Sequence, residues 1–123
     1  MRNLSGLTLL AAAVLLAAVS SLGARAGPAD TTARALVAER RSGDREMAAV
    51  AEVIASAFAS GMSWAGTIEG HPIYCPPPIG AFTGNQAMNI LESFIADHPE
   101  TADKTYSLAL SASLRQAFPC APR

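Results

Sequence analysis

Four stretches of this chain repeat their apolar positions with the period of a helix. In the clearest, Val50, Val53, Ile54, Ala57, Phe58 and Gly61 follow the i, i+3, i+4, i+7 spacing of one helical face. Asp44 stands at its N-cap, and Gly61 is placed to end it in a left-handed turn. Before it, Thr31 or Thr32 caps a short helix that runs to about Arg41 and is broken by Ser42 and Gly43. After it, residues 62–82 carry Gly66, Gly70, Pro72, Pro76, Pro77, Pro78 and Gly80, a density that predicts a long loop. Thr83 caps a third helix from Gly84 to about Asp97, with Met88, Leu91, Phe94 and Ile95 on one face and His98-Pro99 closing it. A fourth runs from about Ala102 to Ala117, its stripe formed by Tyr106, Leu110, Leu114 and Phe118, and Pro119 stops it.

No alternating run indicates a strand, and no repeat is present. The expectation is an all-α, small four-helix domain. Its core should contain Val53, Ile54, Phe58, Leu91, Phe94, Leu110, Leu114 and Phe118.

The N-terminal pattern differs. Arg2 precedes an uncharged run over residues 7–19, and Ala24-Arg25-Ala26 fits a signal-peptidase site. Residues 1–26 therefore read as a signal peptide cleaved after Ala26, leaving a domain over 27–123 with a helical core at about 32–120. The run is shorter than the roughly 20 residues that span a bilayer, and no second span is expected downstream. Stable membrane insertion after cleavage is not expected. Without Arg2 and Arg25, seven basic residues face ten acidic ones, a net charge of −3. That balance argues against nucleic acid as a partner.

Chemistry is sparse. His71 and His98 are the only histidines, and neither has a metal-ligand spacing to a Cys, Asp or Glu. No metal, no other cofactor and no catalytic residue is expected, so the chain is not read as an enzyme. His98 suits the negative end of a helix. Glu92, Asp97, Glu100 and Asp103 read as a solvated face. Cys75 and Cys120 are the whole cysteine complement. In an exported chain they are expected to pair, tying the long loop to the C-terminal end and closing about 46 residues. The alternative, a reactive thiol, lacks a His, Lys or helix N-terminus that would lower its pKa.

Five pieces of sequence carry a family likeness. Gly61-Met62-Ser63-Trp64-Ala65-Gly66, Tyr74-Cys75-Pro76-Pro77, Gln86 opening a helix, His98-Pro99-Glu100 and Ala117-Phe118-Pro119-Cys120 resemble, in order and spacing, the Rap/Tai family of immunity proteins. The likeness covers about residues 45–120. It implies a periplasmic protein that binds and inhibits a peptidoglycan amidase effector of a type VI secretion system. Members often carry further cysteines in the first two helices, which this chain lacks, and three prolines follow Cys75 where fewer are usual.

The alternative is a periplasmic helical protein acting as an acid-stress chaperone. The partner is expected to be a protein, a cell-wall amidase on the first reading, and a homodimer stays open. Trp64, Ile68, Glu69, His71 and Ile73 are the expected partner-binding residues, because a long ordered loop with large apolar side chains suits an interface. Two alternatives remain. Trp64 and Tyr74 could fold back as core anchors, and the contact could instead be the fourth helix around Lys104, Ser111 and Arg115.

Overall fold

The structure is a computed structural model describing residues 31–76 and 82–122. Residues 1–26, read as a signal peptide, and Pro77, Pro78 and Gly80 lie outside the described residues. Four α-helices are present among them: α1 (Ala33–Arg41), α2 (Arg45–Glu69), α3 (Gly84–Asp97) and α4 (Tyr106–Ala117). A 3₁₀ turn, Pro99–Thr101, links the last two. The all-α expectation holds, and so does the disulfide between Cys75 and Cys120.

Three helix starts follow from cap chemistry. Thr32 accepts from the Ala35 N–H, and Asp44 accepts from the N–H groups of Glu46 and Met47. Thr83 and Gln86 form a reciprocal capping box, the Gln86 side chain accepting from the Thr83 N–H at 3.0 Å. The fourth start is later than Ala102, because the preceding backbone is used elsewhere. The carbonyls of Ala102 and Lys104 accept from Arg34 N–H at 2.8 Å and Ala33 N–H at 2.9 Å, while Tyr106 N–H donates to the Thr31 carbonyl at 2.8 Å. The open amide groups at the starts of α1 and α4 are thus satisfied across one backbone seam. Arg34 and Asp103 pair over it at 2.8 Å, and this hydrogen bond, with the charge behind it, holds the Asp103 carboxyl below its ordinary range. Both groups are exposed, so the contribution to stability is small.

The second helix departs furthest from expectation. It does not end at Gly61 but continues to Glu69, where Gly70 takes the left-handed conformation at φ 70°. Residues 62–69 are therefore helix rather than loop. Its buried face is Ala51, Ala55, Ala59, Met62 and Gly66, not the line of bulkier residues. Val53, expected in the core, is 66% exposed, and Val50 on the same face is 44% exposed. Ile54, Phe58 and Phe118 pack against the core while partly exposed, and Phe94 is half-buried beside His98.

The physical reason is helix separation. Small residues let α2 sit close to its neighbours, and Leu36, Met88, Leu91, Leu110 and Leu114 supply the bulk that fills the space. The approach to α3 is so close that a Cβ at Gly84 would stand 2.0 Å from the Glu52 carbonyl oxygen. By length and composition α2 could cross a membrane, contrary to the expectation of no second candidate. In the fold, its alanine face is packed on protein.

Glu92 is another correction. It does not stand on a solvated face: its carboxylate accepts from Arg40 at 2.9 Å and from Arg41, while Arg40 also reaches Glu52 at 3.5 Å. The Arg40 and Glu92 side chains are 14% and 17% exposed, so this network fixes α1 against α2 and α3 in partly desolvated surroundings.

Candidate functional site

The far end of α2 and the chain that follows it hold all five expected contact residues, divided between two surfaces. Trp64, Ile68 and Glu69 are helical, not parts of a loop. After Gly70 the chain turns back, with His71 N–H donating to the Gly66 carbonyl at 3.0 Å. It then crosses Gly66 so closely that a Cβ there would lie 2.8 Å from Pro72 Cα. Residue 68 points about 200° round the helix from residue 66. Trp64 and Ile68 consequently face away, on the outer side, at 69% and 81% exposure. Glu69, His71 and Ile73 form a separate exposed corner where the helix ends and the chain returns.

Tyr74 anchors that return. Its ring is buried, its hydroxyl donates to the Ala59 carbonyl at 2.7 Å, and burial raises its pKa above the ordinary tyrosine value. It packs against Phe82 and Phe118, with centroids 6.4 Å away in each case, and those two rings meet edge to face at 5.6 Å. Beside them Cys75 N–H donates to the Phe118 carbonyl at 2.9 Å, and the Cys75 and Cys120 Cα atoms are 5.0 Å apart. Of the two proposed anchors, Tyr74 is one and Trp64 is not.

The alternative surface on α4 is less coherent. Lys104 precedes the helix, and Lys104 and Arg115 are exposed. Ser111 is half-buried, its hydroxyl bonded to the Ser107 carbonyl at 2.7 Å. Behind it, between α3 and α4, Phe94, Asp97, Ser113 and Gln116 line an open groove of about 240 Å³ that sequence reading did not anticipate. His98 caps α3 through its backbone N–H, stacks on Phe94 at 4.6 Å and lies 3.6 Å from Glu100. Among the described residues no three His, Cys, Asp or Glu side chains are grouped to hold a metal ion.

Sequence reading also missed the outer face of α2, where Val50 and Val53 continue the exposed line of Trp64 and Ile68, with Met47 exposed to one side of it. The signal was present: the same apolar period that marks Val50, Val53, Ala57 and Gly61 extends to Trp64 and Ile68. Comparison with protein-family models, characterised proteins and solved structures gives no match.

Proposed function

We propose that this chain is a periplasmic immunity protein that binds and inhibits a peptidoglycan amidase delivered by a type VI secretion system. The supporting observation is the clasp. Tyr74, Cys75, Phe118 and Cys120, which belong to the pieces resembling the Rap/Tai family, meet in one covalently closed, aromatic-packed unit. That unit holds the turn with Glu69, His71 and Ile73 outward. A braced turn loses little freedom when it enters a cleft, which favours tight occlusion without chemistry. Glu69 and His71 supply polar contacts and Ile73 an apolar one.

The test is to titrate the exported chain into a cysteine amidase encoded beside its gene and follow peptidoglycan hydrolysis. Hydrolysis is expected to fall linearly to an end point at equal molar amounts. Alanine at Glu69, His71 and Ile73 together should weaken inhibition while leaving thermal unfolding unchanged. Full hydrolysis in an excess of the chain would overturn the reading, and suppression of aggregation of unrelated proteins only at acid pH would move it to a chaperone.

A further inference from the structure

The outer face of α2 is the most extended exposed apolar feature of the described residues. At 100° per residue, Val50, Val53, Ala57, Gly61, Trp64 and Ile68 fall within about 40° of one line along the helix, opposite the alanine seam. From Met47 to Ile68 the sequence has one charged residue, Glu52, and its carboxylate is turned to Arg40. Met47, Val50, Val53, Trp64 and Ile68 are 38%, 44%, 66%, 69% and 81% exposed. Together they leave on the order of 500 Å² of mainly apolar side-chain surface in water, near the top of what a monomer carries in one patch.

We infer that this face is covered by a second copy of the chain, with the two α2 helices antiparallel and the twofold axis passing at Ala57. The order of side chains is self-complementary about that point. Trp64 of each copy falls against Val50 and Val53 of the other, Ala57 and Gly61 keep the centre shallow enough for the helices to approach, and at each end Ile68 meets the first turn of the other helix, where exposed Glu46 bounds the apolar contact. Beyond its own helical turn nothing lies within 4 Å of a Cβ built at Gly61, so that space is open. A parallel pair would set Trp64 on Trp64 and leave a gap at Gly61. The same patch meeting itself is the requirement for a closed twofold dimer. Complete pairing would remove at most about 1,000 Å² of side-chain surface from water, the lower bound for a biological interface and the size of a weak, reversible dimer. A lipid surface fits less well. Interfacial helices draw on basic flanks, and here Arg45 is outnumbered by Glu46 and Glu69 in a chain of net charge −1. The pairing is independent of the amidase reading, because Glu69, His71 and Ile73 lie off this face.

Sedimentation of the chain recovered from the periplasm, with emission from its single tryptophan, tests the proposal. A dimer is expected at micromolar concentration, with Trp64 emission moving to longer wavelength on dilution. Ala57→Glu brings two carboxylates together at the axis and should raise the dissociation constant by about 100-fold or more. Its helicity should not change, because Ala57 is exposed in the single chain, and its unfolding temperature should equal that of the wild-type chain diluted to monomer. Ala57→Cys should cross-link two copies. Val50→Cys should cross-link with Trp64→Cys and not with itself, which fixes the antiparallel register. A chain that stays monomeric throughout, or a dimer that survives Ala57→Glu, would overturn the proposal. So would a monomer whose Trp64 emission shifts only with phosphatidylglycerol and phosphatidylethanolamine vesicles, which would make the occupant a lipid surface.

Discussion

Along the inner face of α2 the residues are Ala51, Ala55, Ala59, Met62 and Gly66; along the outer face they include Val50, Val53, Trp64 and Ile68. Burial here runs against side-chain size. Hydrophobic side chains go inside only when something is there to meet them, and the closest helix contacts favour the smallest groups. The inner alanines contribute little area themselves, yet they admit Leu36, Met88 and Leu91 to full burial. The outer residues carry more apolar area and spend it on nothing in the single chain. One helix thus carries two apolar faces, one packed on folding and one left exposed.

The comparison breaks first at the clasp that holds the return of the chain over the inner face. Cys120→Ser should cost on the order of 4 kcal/mol by the loop-entropy model, seen as a lower midpoint in urea unfolding. Ala55→Leu on the inner face should cost about 1–3 kcal/mol, because the added bulk has no space between packed helices. The same midpoint measures it.

Tyr74 sharpens the picture through pH. Burial raises its folded pKa, so the neutral phenol favours the fold fully below the unfolded value near 10, and this contribution is lost as pH rises through the folded pKa. Stability should fall on that alkaline side, and Tyr74→Phe should remove that part of the fall while costing about 1 kcal/mol at neutral pH. Val53→Ala on the outer face should change the stability of the single chain by no more than about 0.5 kcal/mol. If Ala55→Leu and Val53→Ala cost equal amounts in a monomeric background, the contrast between the faces is wrong.

Much of the fold was legible in local chemistry. Thr32, Asp44 and Thr83 marked three starts because each cap is a side chain next to its own helix. Leu91, Leu110 and Leu114 were legible because a large aliphatic residue on a periodic face is usually buried. The end of α2 was not, since a glycine at position 61 reads as a terminator when its neighbours' packing is unknown, while the left-handed glycine is Gly70. The start of α4 depends on carbonyls used by α1, about 70 residues away in sequence, which no local pattern reports. For the site, the period of Val50 and Val53 was visible, but period alone does not say which face turns inward. The alanines Ala51, Ala55 and Ala59 at spacing four, continued on the same face by Met62 and Gly66, were the available clue.

The backbone seam between α1 and α4 has a consequence for motion. Helix α1 lies outside the ring closed by Cys75 and Cys120, so the disulfide does not restrain its departure. Releasing α1 frees the amides of Ala33, Arg34 and Tyr106 in one event, because they bond across the same seam. These three protons should exchange with solvent at a common rate set by that opening, faster than amides held between α3 and α4. Loss of α1 would leave the first turn of α4, with no side-chain cap of its own, without the Thr31 carbonyl that now accepts from Tyr106 N–H.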